Sequence, residues 1–71
     1  MEMIPVQSSN IEAIGYDPET SRLRVRFNKR DSLYEYNDVP PEIFEAFRTS
    51  DSKGGFFQRN ILRTFNGRKM E

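Results

Sequence analysis

Residues 22–27 read Arg-Leu-Arg-Val-Arg-Phe, a strict two-residue alternation. Successive side chains of an extended strand point to opposite faces. Leu23, Val25 and Phe27 therefore share one face, and Arg22, Arg24 and Arg26 share the other. Helical spacing does not sort these six residues that way. The pattern requires a sheet with one oily and one wet face, as in an antiparallel sheet covered on one side only.

The flanking segments supply its neighbours. Ile11 to Tyr16 is a strand candidate that ends at Asp17-Pro18-Glu19-Thr20, where proline in second place suits a type I turn. Asn28 to Ser32 is a polar loop, and Leu33-Tyr34-Glu35-Tyr36 reads as a third strand. Register decides where its tyrosines point. With Tyr34 opposite Phe27, Tyr36 meets Val25 and Glu35 meets Arg26, which gives apolar pairs inside and an ion pair outside. A one-residue slip would set Glu35 against Val25 and bury a carboxylate, so the first register is expected. Ile14 and Tyr16 then join Val25 and Leu23 on the inner face.

Asp38-Val39-Pro40-Pro41 closes the sheet and opens a helix, with Glu42 in its first turn and Arg48 in its last. Ile43, Phe44 and Phe47 form its apolar stripe. After the turn Thr49-Ser50-Asp51, Ser52 is an N-cap for a second helix running to about Phe65 and ended by Asn66-Gly67. Phe57, Ile61 and Phe65 fall on one narrow face, and Arg59 and Arg63 lie one turn apart opposite them. The expected fold is α+β: a three-stranded antiparallel β-meander with two C-terminal α-helices packed on one face. Seventy-one residues sustain one core, placed at residues 6–65, with residues 1–5 and 66–71 as loose ends.

There is no cysteine and no histidine. Disulfides, thiol nucleophiles, zinc fingers and imidazole-based triads are thereby excluded. No apolar run approaches the roughly 20 residues of a membrane span, and no basic flank with an apolar stretch marks a signal peptide. A cytoplasmic protein without membrane contact is expected. A general base would have to be a carboxylate, lysine or tyrosine shifted by a desolvated cleft, which a domain this small seldom has. The carboxylates show no metal-ligand spacing. The expectation is a protein that is not an enzyme and needs no metal or cofactor.

Formal charge is zero but zoned. Residues 1–21 carry four acids and no base, residues 22–30 five bases and no acid, and residues 31–47 five acids and no base. Residues 48–71 carry six bases against two acids. Three constellations follow. The first is Arg22, Arg24 and Arg26 with Lys29 and Arg30. Side chains two apart on a strand stand roughly 7 Å from each other, near the phosphate spacing of a nucleic acid. Arg59 and Arg63 on the last helix, with Lys53, Arg68 and Lys69, extend that surface or form another. The bland reading is a solvated face paired with Glu35 and Glu12, yet three bases in a row on one strand favour an anionic partner. The second is Tyr34-x-Tyr36, either a base-stacking platform or, as the register favours, packing in a half-buried sheet. The third is Ser52-Lys53-Gly54 within Ser50–Gly55, either a phosphate contact at a helix start or a tight helix–helix corner.

Val6-x-Ser8-Ser9-Asn10-Ile11, Ile14-Gly15-Tyr16-Asp17, Leu23-x-Val25-x-Phe27, Tyr34-x-Tyr36, Val39-Pro40 and Ser52-Lys53-Gly54-x-Phe56-Phe57, in that order, resemble the KTSC domain family. The family takes its name from the C-terminal extension of some lysyl-tRNA synthetases and has no established activity. The resemblance implies RNA binding only through that attachment. A glycine common in the family before Tyr-x-Tyr is absent from Asn28-Lys29-Arg30-Asp31-Ser32, which allows a different turn and a shifted register. Two functions are carried forward. One is a non-catalytic module that binds RNA or another polyanion through Arg22, Arg24, Arg26, Lys29 and Arg30, helped by Arg59 and Arg63. The other is a protein-interaction or self-associating module that joins complementary charge blocks, with a homodimer or protein partner.

Overall fold

In a computed structural model, residues 1–29 and 32–71 are described. Five strands form one antiparallel meander in chain order: β1 (Ile4–Pro5), β2 (Ile11–Asp17), β3 (Arg22–Phe27), β4 (Leu33–Tyr36) and β5 (Gly67–Lys69). Helices α1 (Pro41–Thr49) and α2 (Lys53–Asn60) lie between β4 and β5 and cover the inner face. The expectation of an antiparallel sheet with two helices stands. The count of three strands does not, because both ends expected to be loose contribute an edge strand.

Each extra strand has a local cause. At β1, Ile4 pairs with Ile14 and Pro5 with Ala13. Gly15 lets the N-terminal arm lie close, since a Cβ there would stand 2.7 Å from Met3 Sδ and 2.8 Å from the Glu2 carbonyl. At β5, the Asn37 amide donates to the Asn66 carbonyl over 3.0 Å and begins a ladder that sets Gly67 against Tyr36 and Arg68 against Glu35. The ring of Tyr36 occupies the space that a Cβ at Gly67 would need, with a ring carbon only 2.2 Å from that position.

On β2 and β3 the expected partners meet, Ile14 with Val25 and Tyr16 with Leu23. A bulge between Ile11 and Ala13 keeps Ile11 inward, opposite Phe27. Between β3 and β4 the register is two residues off the expected one: Tyr36 faces Leu23, Glu35 faces Arg24, and Tyr34 faces Val25. A two-residue offset leaves every side chain on its assigned face and changes only its partner. The hairpin closes early because Phe27 N donates to Ser32 O over 2.8 Å. Asn28 N instead donates to the Asn10 carbonyl over 2.9 Å.

Proline at the first position opens α1, and of its stripe Phe47 is fully buried while Ile43 and Phe44 are half-buried against the core. Tyr16 stacks on Phe44 with ring centroids 4.8 Å apart and donates its hydroxyl to the Val39 carbonyl over 2.5 Å. Ser52 is the N-cap of α2, its Oγ accepting from Gly55 N at 3.2 Å. The helix stops at Asn60 rather than near Phe65. The amides of Ile61 and Leu62 both donate to the Phe57 carbonyl, and the chain then turns so that residues 67–69 can lie beside β4. Phe57 and Ile61 are buried, and Phe65 packs against them from that turn.

Candidate nucleic-acid interface

The outer sheet face carries the arginine row around a buried acid. Glu35 sits directly opposite Arg24 on β3 and Arg68 on β5, and Arg22 is its diagonal neighbour. Arg24 Nε donates to Glu35 Oε2 over 2.9 Å. Arg22 Nη1 and Arg68 Nη2 each stand 4.0 Å from Oε1. The Glu35 side chain is 2% exposed, whereas Arg22 and Arg68 are 51% and 69% exposed. Burial of a carboxylate is sustained only where its charge is met: here Arg24 supplies a hydrogen bond and Arg22 and Arg68 add longer-range positive charge. In return the carboxylate holds three long side chains in place on the sheet.

Three positive groups against one negative leave the cluster with a formal excess of two. Asp17 stands opposite Arg22 in register, but its Oδ1 accepts from Glu19 N at 3.0 Å. Arg26 Nη2 meets Glu71 Oε1 at 3.0 Å. The expected Glu35–Arg26 pair is therefore replaced by Glu35–Arg24, following the two-residue offset.

Of the other expected bases, Lys29, Lys53, Arg59 and Arg63 are not part of this face. Lys53 donates from Nζ to the Ser50 carbonyl over 2.6 Å on the helical layer. Arg59 lies on α2, its guanidinium 2.9 Å from where a Gly55 Cβ would sit. Arg63 falls in the turn after α2, so it is not one helical turn from Arg59 on a common face. Lys29 lines a cleft against α2. Arg30 lies outside the described residues. Arg22, Arg24 and Arg26 thus form one group, with Lys29, Lys53, Arg59 and Arg63 elsewhere.

The tyrosines face inward. Tyr36 is 4% exposed, with its ring edge-on to Phe57 at 5.6 Å, and Tyr34 packs edge-on to Phe27 at 5.7 Å. Burial, with Tyr34 adding a smaller effect, pushes the Tyr36 phenol up to about 12. Packing of this kind is the half-buried-sheet reading of the pair: Tyr36 is buried and Tyr34 half-buried.

Ser52, Lys53 and Gly54 line the polar end of a cleft whose far wall is the loop Gln7–Asn10. The loop is pinned by Asn28, whose Nδ2 donates to the carbonyls of Ser8 and Ser9 at 3.1 Å each. At Gly54 a Cβ would approach Asn10 Nδ2 to 3.3 Å. The Ser-Ser-Asn and Ser-Lys-Gly segments, 40 residues and more apart in the chain, are opposite walls of one groove.

Glu35 as an acid paired with the strand arginines and Arg68 as an extension of their surface were both expected; what sequence reasoning missed is that Arg22, Arg24 and Arg68 converge on that one carboxylate. The available signal was an acid alone on the wet face of a strand beside three arginines. The place of Arg68 opposite Glu35 could not be read, because it depends on β5.

The profile of the KTSC domain matches residues 7–65. The chain belongs to the KTSC family. A crystallised KTSC domain protein from Yersinia pestis superposes with a TM-score of 0.94 at 37% identity, covering 99% of this chain and 97% of that one. An uncharacterized protein of Stutzerimonas stutzeri is 41% identical over 59 residues, which are 83% of this chain and 82% of the relative. A lysine–tRNA ligase of Nostoc sp. is 33% identical over 63 residues, 89% of this chain but 11% of the ligase. The KTSC domain is thus found both as nearly a whole small chain and as a small part of a large one.

Proposed function

We propose that this KTSC domain is a non-catalytic, cytoplasmic RNA-binding module that contacts phosphates with the outer sheet face. The observation that carries the reading is the arrangement of Arg22, Arg24 and Arg68 around buried Glu35. One carboxylate orients three guanidiniums while cancelling one charge, so exposed N–H donors remain for an anion. Arginine forks suit phosphate oxygens better than lysine does, because the donors are planar and fixed. The similarity to part of a lysine–tRNA ligase supports a polynucleotide over other polyanions. Phosphate contacts of this kind give modest, salt-dependent affinity with little sequence preference.

Binding of a labelled single-stranded RNA, followed by anisotropy across a salt series, tests it. Arg22→Ala with Arg68→Ala is the informative variant, because both side chains are exposed and Arg24 remains to hold Glu35. The salt slope falls by about one to one and a half, at roughly 0.7 per single-strand phosphate contact. An unchanged slope rejects this face. A salt-sensitive dimer in sedimentation, indifferent to RNA, would establish the self-associating reading instead.

A further inference from the structure

The groove between the Gln7–Asn10 loop and α2 has an apolar end that the arginine face does not explain. There a cavity of about 270 Å³ is lined by Phe27 and Phe57, with Leu62, Asn10, Gln58 and Lys29 at its rim. Leu62 is 46% exposed, an apolar side chain left at the mouth. Among the described residues, neither the Asn10 nor the Gln58 side-chain amide makes a hydrogen bond within the protein. Each offers both a donor and an acceptor. Among the described lining residues, Lys29 is a cation and none is an acid, which disfavours positive ligands. Its wall is preformed, because Asn28 fastens the loop through Ser8 and Ser9. An apolar floor with a few convergent polar groups is the usual make-up of a small-ligand site.

We infer that this cavity takes one unpaired base of the bound RNA, an assignment that rests on the RNA-binding reading above. A base presents an apolar ring face to Phe27 and Leu62 and a donor–acceptor edge to Asn10 and Gln58. Lys29 stands where the attached phosphate leaves the cavity. The route is continuous: Arg26 and Phe27 are consecutive and point to opposite faces, so a strand lying on the arginines reaches the cavity by rounding that end of β3. The two sites then divide the work, with guanidiniums holding backbone and the cavity holding a ring. Stacking of a base on such a floor is sequence-tolerant and sets RNA apart from a bare polyanion.

The test compares an octaribonucleotide with linear polyphosphate of equal charge on the full chain. The variant is Gln58→Ala with Leu62→Ser, both exposed positions, with an unchanged thermal midpoint as the control for folding. Wild type prefers the octaribonucleotide by about tenfold, and the variant loses that preference while keeping its affinity for polyphosphate. Equal wild-type affinity for the two ligands, or undiminished RNA preference in the variant, overturns the cavity and leaves the arginine face intact. Binding of neither ligand by wild type overturns both.

Discussion

Arg24 and Glu35 face each other across β3 and β4, with Nε donating to Oε2 over 2.9 Å on the side of the sheet away from the helices. The carboxylate is almost wholly buried although it lies on the wet face. Arg22, Arg24 and Arg68 stand around it, and the side chains of Arg22 and Arg68 remain more than half exposed to water. The basic face is thus a folded element with its own buried centre, distinct from the apolar core on the other side of the sheet.

That burial predicts the cost of removing Glu35. Glu35→Ala leaves three guanidiniums crowded without a counter-charge and opens the space beneath them. We expect a loss of about 3 kcal/mol in urea unfolding at neutral pH, in line with breaking a buried pair. A loss under about 1 kcal/mol would mean that the cluster is no more than a set of surface pairs.

Gly67 is held by a neighbour rather than by a turn. A Cβ there would lie 2.2 Å from one carbon of the Tyr36 ring, a distance that forces movement. Gly67→Ala should cost about 1–3 kcal/mol, the usual range for overpacking, and should loosen β5 from β4. Hydrogen exchange checks this: the amide of Met70, which donates to the Leu33 carbonyl over 2.7 Å, loses protection while those of β2 keep theirs.

The Tyr36 phenol, raised to about 12 by burial, makes the fold sensitive to alkali. A phenol titrating higher in the folded chain than in the unfolded one stabilises the neutral form. Its contribution is therefore complete below pH 10 and is lost as pH climbs from about 10 toward 12. Absorbance at alkaline pH should show a late-ionising tyrosine that Tyr36→Phe removes. That variant should also weaken the decline in stability over the same range.

The cap of α2 is one hydroxyl. Ser52 Oγ accepts from Gly55 N, and the helix has no acid in its first turn to assist. Ser52→Ala should lower stability by about 1 kcal/mol, with Ser52→Asp restoring most of it. Thermal melts of the three proteins decide it. Equal midpoints would show that tertiary contacts alone hold the helix start.

Legibility in the sequence followed the range of the interactions. The alternation at 22–27 assigned faces correctly on three strands, because one face is buried and parity is all that burial demands. The absent glycine allowed a shifted register between β3 and β4, but its size could not be read, since Asn28 bonds to Asn10 and to the distant β1–β2 loop. Ser52 was readable as a cap from local chemistry. The early end of α2 was not, because Ile61 and Phe65 keep helical spacing while the backbone turns away to form β5. At the candidate site the three arginines were visible, but their grouping around Glu35 with Arg68 required that same unseen strand.

The account stands or falls on which side of the sheet meets RNA. Nitrogen-15 spectra of the arginine Nε–H groups, recorded as a short single-stranded RNA is added, report this residue by residue. We expect the signals of Arg22, Arg24 and Arg68 to shift together and saturably, while Arg48 on α1 stays in place. Signals of the three that stay fixed at saturating RNA, with shifts confined to the helical side, would contradict it.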